Sequence, residues 1–409
     1  VTDYVSNQGG ANPAASYAAH QGPIDNTLQL IVGGQSWTGW QAIKVSRSLE
    51  RVPGSFDIAM TDKYPGKPMV ICKPGDTCQI KLGSDVVITG YIDRYVASIA
   101  PQSHTVRVTG RSKVQDLVDC SAGINLQGQS NGMQVSVSSL MELATKFANP
   151  FGITASIVGG DDVALTAPFG GPITFNITLT ETPMEIIEEV ARYARVLVYD
   201  DVNGNLLFAD VGAVTMASGF QQGRNVQAAE ATFSMDQRYS LYQPTLMSAD
   251  NLSDLNGGRF PFPALKDPGV PRFRPLIVVS EQTIFGIQLA QQRAQWELNR
   301  RQGRSQMVTL TCDSWRDSAG TLWQPNGMAP VDIPILGIDS QNWIIADVSF
   351  LRDGERGTVA ELVLMPALAF SIEPSDLQPY DWMVTEALRN ANNPADPNFN
   401  PRAGDAAGP

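Results

Sequence analysis

Ser130 lies in Gly128-Gln129-Ser130-Asn131-Gly132, which has the G-x-S-x-G spacing of a nucleophile elbow. That chemistry needs a strand-to-helix turn to expose the hydroxyl and a histidine to take its proton. Both histidines, His20 and His104, precede Ser130, and no strong strand leads into it, so a polar glycine-rich loop is the better reading. Asp201-x-Asn203-Gly204-Asn205 has the look of a calcium loop, but EF-hand spacing calls for glycine where Leu206 stands. A hairpin turn accounts for the same residues. Glu181, Glu185, Glu188 and Glu189 offer carboxylates for glycoside hydrolysis, yet their spacing scatters them around one amphipathic helix, as a solvated face would.

The four cysteines, Cys72, Cys78, Cys120 and Cys312, contain no CxxC pair, and with two histidines they supply no zinc-ligand spacing. Cys72 and Cys78 read as buried free thiols. Gly66-Lys67 is followed by Pro68, so no phosphate-cradling loop is present. Arg300, Arg301 and Arg304 form the densest basic cluster, but they close a helix, where cations belong anyway. Trp37, Trp40, Trp296, Trp315, Trp323, Trp343 and Trp382 are scattered without a stacking period and read as core or interface packing. No catalytic, cofactor-binding or metal residue is assigned. In a chain of 409 residues that points to a structural or binding role rather than an enzyme.

The elements that would position such residues are mostly short strands. Val86–Ile92 and Thr105–Thr109 flank a Pro101-Gln102-Ser103 break and predict an antiparallel hairpin. Ser139-x-x-Glu142 and Thr182-Pro183-x-Glu185 are capping boxes that open two amphipathic helices, the first ending at Asn149-Pro150. Val196–Tyr199 and Leu206–Phe208, joined through Asp201-Val202-Asn203-Gly204, predict a second hairpin. A further helix is expected near Ile287–Arg301, stopped by Gly303. Thr309–Cys312, Trp343–Ala346 and Ala360–Leu364 are strand candidates.

These elements give a mainly β chain with α+β content. Two antiparallel β-barrel-like domains, 28–122 and 214–370, bracket a small α+β domain, 123–213, and the second barrel carries an inserted helix. The α+β segment has three basic and ten acidic residues, net −7, more than half of the whole-chain −12. Residues 1–27 read as a flexible arm and 371–409 as a Pro/Asn-rich tail. Limited proteolysis is expected to trim both ends first. The negative balance argues against a nucleic-acid binder. The first residues lack the basic and apolar regions of a signal peptide, and the longest uncharged run, Val163–Thr180, is broken by proline and glycine, so no membrane span is expected.

Several blocks, taken in order, resemble the baseplate hub protein of Mu-like contractile-tailed phages. They are Trp37-Thr38-Gly39-Trp40, Val45–Glu50, Gly54–Ile58, Thr89–Asp93, Gly110–Lys113, Asp116–Cys120, Arg272–Ile277, Arg293-Ala294-x-Trp296-Glu297 and Gly320–Asn326. The resemblance spans about residues 28–370, and by fold it extends to type VI secretion spike hubs. It implies a non-enzymatic homotrimer at the centre of the baseplate, joining the tail tube or its initiator to the membrane-piercing spike. Other baseplate proteins surround that ring, and viral DNA passes through it without specific binding. The expected location is the virion tail, after assembly in the host cytoplasm, with no cofactor and no stable membrane insertion. A tail-associated cell-wall hydrolase and a receptor- or glycan-binding tail module are the alternatives.

Overall fold

The computed structural model describes residues 16–20, 22, 25–61, 71–101, 103–123, 134–165, 172–247, 263–281 and 286–374. The Ser130 loop, Trp382, most of the arm and nearly all of the tail lie outside these residues.

The first half is a run of strands: β1 (Leu28–Val32), β2 (Gln35–Trp37), β3 (Ala42–Ser48), β4 (Ser55–Thr61), β5 (Thr77–Leu82), β6 (Asp85–Ala100) and β7 (Ser103–Ser112). Alternation sets their faces. In β4, Phe56, Ile58 and Met60 point into the core while Ser55 and Thr61 face out. The predicted β6–β7 hairpin forms, but β6 runs on to Ala100, well past Ile92. Gly90 allows the two strands to meet there, because a Cβ at this position would lie 1.8 Å from the Arg111 carbonyl oxygen.

A short helix, α1 (Gln115–Asp119), leads into β8 (Gln134–Val137), α2 (Leu140–Ala148), β9 (Ala155–Val158), β10 (Ile173–Asn176), α3 (Pro183–Ala194), β11 (Leu197–Asp200) and β12 (Leu206–Ala209). The α3 capping box is complete: Glu185 N–H donates to Thr182 Oγ1 at 3.2 Å, and Thr182 N–H donates to the Glu185 carboxylate at 2.8 Å. At α2 only half of the expected box forms. Ser139 caps Glu142, but the Glu142 carboxylate accepts from Ser138 N–H instead of Ser139. The β11–β12 hairpin forms around Asp201, whose Oδ1 accepts the N–H groups of Asn203 and Asn205 at 2.8 Å each. That carboxylate serves the turn, as the hairpin reading requires.

The second half contains β13 (Val214–Thr215), β14 (Phe220–Gln221), β15 (Val226–Phe233), β16 (Leu241–Met247), β17 (Leu265–Lys266), β18 (Pro275–Glu281), α4 (Gly286–Arg304), β19 (Gln306–Cys312), β20 (Gly327–Ile333), β21 (Ile338–Asp353) and β22 (Gly357–Met365). Gly303 does not stop α4, which continues to Arg304. Its role is close approach: a Cβ there would lie 2.1 Å from Ala369 N, in the short 3₁₀ turn Ala367–Phe370 packed against the helix.

Fourteen strands share one sheet, with the path β15-β19-β22-β21-β3-β4-β7-β6-β5-β1-β2 and with β13, β14 and β20 attached beside β21. The two barrel-like domains expected from the sequence do not form closed barrels in this path. Among the described residues the hydrogen bonding forms an open, mainly antiparallel sheet, because β3, an end strand of the first half, pairs with a strand of the second half instead of closing its own half. The link is β3 with β21, paired from Asp347↔Ser48 to Arg352↔Ile43. The two halves also repeat one neighbour order, β3-β4-β7-β6-β5-β1 and β15-β19-β22-β21-β20-β14. Their longest strands, β6 and β21, each have 16 residues. Each is bulged once against the following strand, between Ile92 and Arg94 and between Ile345 and Asp347. The repetition ends at the outer strand, since β1 is antiparallel to β5 whereas β14 is parallel to β20.

One apolar core runs through both halves, from Leu28 and Val45 to Phe350 and Leu364. The middle segment has its own core, with Leu143 and Phe147 of α2 against Ile187 and Val190 of α3. A third cluster, including Leu49, Tyr199, Ile344 and Phe370, fills the junction between them.

Candidate interaction surfaces

The residues singled out for chemistry are absorbed by the fold. Arg301 bonds Glu297 at 2.6 Å and lies 5.3 Å from the centre of the Tyr239 ring. Arg304 pairs with Glu50, and Arg300 stacks over Trp296 while donating to the Ser371 carbonyl at 3.3 Å. Burial and the neighbouring Arg304 hold Arg300 below the usual guanidinium pKa. The cluster therefore ties α4 to Glu50 and to the chain leaving the last 3₁₀ turn. Glu181 accepts from Thr178 N–H at 2.9 Å and Glu185 completes the α3 cap, so two of the four glutamates hold backbone.

Cys72, Cys78 and Cys312 are free and buried, and burial pushes each thiol up to about 12. Burial holds them as neutral thiols at neutral pH, which makes them poor nucleophiles. Cys120 is half-buried, with its thiol raised as well. Trp40, Trp296, Trp315 and Trp323 each donate the indole N–H to a backbone carbonyl at 2.8–3.0 Å, and Trp343 donates to Gln341 at 3.2 Å. Core packing with a satisfied polar tip is their role. Among the described residues no group of three or more metal-ligating side chains occurs, and no helix is long and apolar enough to cross a membrane.

Polar pins fix the parts relative to one another. Arg47 of β3 donates to the Asp200 carbonyl at 2.7 Å, and the Asp200 carboxylate accepts Gly54 N–H at 3.1 Å. Asn326 accepts Gly212 N–H at 2.7 Å and donates to the Asp210 carbonyl at 2.8 Å. Arg316, from the second half, reaches the Leu82 carbonyl at 2.9 Å and Asp85 at 2.5 Å in the first. These bonds tie the parts in one arrangement, although Arg47 Nε and Asp200 Oδ1 are buried without a hydrogen-bond partner among the described residues.

What remains exposed is apolar edge. Beyond Tyr95 the side chains of β6 are exposed, Val96 (51%) and Ile99 (71%) among them, while β7 stays paired with β4 as far as Thr105. Phe233 (56%) and Met235 (37%) cluster at the end of β15, the terminal strand of the large sheet. A separate three-stranded sheet, β17-β16-β18, packs Tyr242 and Val278 against α4 and turns Ile277 and Val279 outward. Between the middle segment, α4 and residues 367–374 lies a cleft of about 500 Å³, with Arg195, Gln292, Trp296 and Ile372 on its walls. Sequence reasoning missed Ile99 and Phe233. The available signal was apolar residues in strand segments otherwise rich in Arg, Ser, Glu and Thr.

The architecture has named relatives. Three family models match: Mu phage baseplate assembly protein GpP-like, N-terminal, over 27–112; baseplate hub protein gp44-like, second domain, over 114–210; and Mu phage baseplate assembly protein GpP, fourth domain, over 286–373. The baseplate hub protein gp44 of Escherichia phage Mu is 26% identical over 356 residues, which is 85% of this chain and 90% of that protein. The 43 kDa tail protein of prophage MuSo2 from Shewanella oneidensis is 31% identical, with a TM-score of 0.70 over 86% of this chain and 100% of that one. The tail protein from Neisseria meningitidis MC58 shares the fold, with a TM-score of 0.66 and 20% identity over 85% of this chain and 98% of that one.

Proposed function

We propose, from the premise that this chain belongs to the baseplate hub family of Mu-like phages and is a structural component of the virion tail, that three copies form a ring around the tail axis. The ring would join the tail tube, or its initiator, to the central spike, contact other baseplate proteins, and line the channel through which DNA leaves. Assembly would take place in the host cytoplasm.

The observation that carries this reading is the repeated strand order of the two halves, joined edge to edge through β3 and β21. Two comparable β units per chain, taken three times, give six comparable blocks around an axis. A threefold spike and a sixfold tube could then meet on one ring without a symmetry clash. The segment division 1–27, 28–122, 123–213, 214–370 and 371–409 belongs to this proposal, with 28–122 and 214–370 as ring blocks and 123–213 outside them. The bore would be acidic or neutral, since three chains carry 3 × −12 = −36 and like charge keeps the duplex from adhering.

Light scattering on the purified chain should find a species of 3 × 44.1 = 132.3 kDa, at high concentration or with spike protein added. Electron microscopy of particles carrying a labelled chain should place the label on the tail axis. A strict monomer or dimer under all those conditions, or an off-axis label, would overturn the reading.

A further inference from the structure

The cleft of about 500 Å³ beside α4 is also where the last described residues run. They are held along α4 one after another. The Ser371 carbonyl accepts from Trp296 Nε1 at 2.8 Å and from Arg300 at 3.3 Å, and Glu373 pairs with Arg293. The chain therefore advances from the C-terminal half of α4 toward its N-terminus. It joins the cleft wall at Pro374, which is buried.

The walls suit a peptide. Val211, Leu368 and Ile372 present apolar surface. Opposite them Gln292, Gln295 and Asn299 recur along α4 at intervals of three and four residues, and so share one helix face. Gln295 donates to Asn299 at 2.9 Å, and Gln292 accepts from Arg195 at 2.8 Å. A side-chain amide has two N–H donors and an acceptor oxygen, so each keeps capacity for the bonds a peptide backbone offers.

The sequence that follows carries a matching apolar face. After Pro379, the residues Tyr380, Met383, Val384, Ala387 and Leu388 fall at i, i+3, i+4, i+7 and i+8, the spacing of one side of a helix. Asp381, Trp382, Thr385, Glu386 and Arg389 fall on the other side. Proline in the first position, an acid in the first turn and arginine in the last are the preferences of helix ends. From 390 onward the sequence is rich in Asn and Pro and has no such period. Only residues 375–378 separate Pro379 from Pro374, a reach of about 18 Å at full extension. So short a tether gives an effective concentration on the order of millimolar, which favours the chain's own segment over a partner in solution.

We propose that residues 379–389 pack their apolar face into this cleft, so that the chain's own continuation closes it and ties the middle segment to α4. This closure is independent of how copies assemble.

Cysteine pairs locate the segment in full-length Cys120→Ser protein. Gln295 is exposed on the cleft wall, so substitution there should keep the fold, and circular dichroism checks that it does. Gln295→Cys with Val384→Cys should form an intramolecular disulfide after mild oxidation, read as a linked peptide by mass spectrometry, at a yield unchanged by dilution. Gln295→Cys with Trp382→Cys, on the opposite side of the helical spacing, should give several-fold less. Chymotrypsin supplies a second readout. Cleavage after Tyr380 should be several-fold slower in the unaltered chain than in Gln295→Trp, whose indole takes up the cleft, while cleavage after Phe399 should be equally fast in both. Equal disulfide yields from the two pairs, or equal cleavage after Tyr380, overturns the closure. Links that form only between chains and rise with concentration give the cleft to a second copy and overturn it as well.

Discussion

Phe350 stands directly opposite Val45, with both side chains at most 1% exposed, so strands from the two ends of the described chain close on each other in the middle of one sheet. The same phenyl ring lies 6.0 Å from the Trp315 ring in an edge-to-face arrangement. Phe350→Ala should cost about 3–5 kcal/mol. The shared core predicts that both halves unfold together. Urea titrations followed by tryptophan fluorescence and by far-UV circular dichroism should coincide, with the variant midpoint lowered. Two separate transitions would show that the joint does not couple the halves.

A second joint holds the acidic middle segment. Asp200 is 1% exposed and accepts Gly54 N–H, while Arg47, at 7%, donates to the Asp200 backbone carbonyl. Asp200→Ala removes the acceptor and leaves a buried N–H without its carboxylate beside a buried guanidinium. A loss of about 2–4 kcal/mol is expected. Asp200→Asn keeps an acceptor oxygen and should lose less. Denaturation midpoints decide it, and equal losses for the two variants would count against the hydrogen-bond account.

Local chemistry was legible in the sequence wherever a signal closes within a few residues. The Thr182–Glu185 box and the Asp201 turn each satisfy their own backbone, so neither needs information from elsewhere. Gly303 was misread because its value lies in contact with Ala369, which no local pattern reveals. The outer part of β6 was missed for a related reason. Without a buried face within the chain it shows no clean alternation, and the strand is held only by β7. The β3–β21 joint pairs residues from opposite ends of the chain, and sequence patterns give faces and turns but not distant neighbours. The two barrel-like domains are therefore read from sequence as separate units, and the surfaces at Ile99 and Phe233 go unseen.

Cys72, Cys78 and Cys312 make alkaline stability a readout of burial. A folded-state thiol pushed up to about 12, from an ordinary 9.0, contributes fully below pH 9 and loses its contribution as the pH rises toward 12. The raised phenols of Tyr199 and Tyr242 act in the same direction. Stability should hold to about pH 9 and then fall, each thiol giving at most about 1.4 kcal/mol per pH unit. Urea midpoints from pH 7 to 11 measure the slope. In native protein at pH 8, a maleimide should label Cys120 well before the other three, and rapid labelling of all four would contradict the burial.

If the ring lines a DNA channel, the isolated protein should not hold DNA. Its net charge of −12 per chain gives a duplex few counterions to release on binding. Gel-shift titration at about 0.15 M salt should show no retention at micromolar protein, below even the usual nonspecific range of about 10⁻⁴–10⁻⁶ M in Kd. Tight binding that disappears on raising the salt would point to a basic bore and against the charge argument.

Charge placed on the exposed edges should separate assembly from folding. Ile99, at the outer end of β6, is 71% exposed, and Phe233, at the end of the terminal strand β15, is 56% exposed. Ile99→Asp or Phe233→Asp therefore removes little packing from a single chain, and each monomer should keep its stability within about 0.5 kcal/mol. If copies of the chain meet through these exposed apolar side chains, either change places a carboxylate among apolar groups, where desolvation opposes it. Each substitution alone should abolish the 132.3 kDa trimer while leaving the urea midpoint of the monomer unchanged. Ile277→Asp, on the separate β17-β16-β18 sheet, is the control and should assemble normally. If all three variants trimerise equally, the joint between copies lies elsewhere on the molecule.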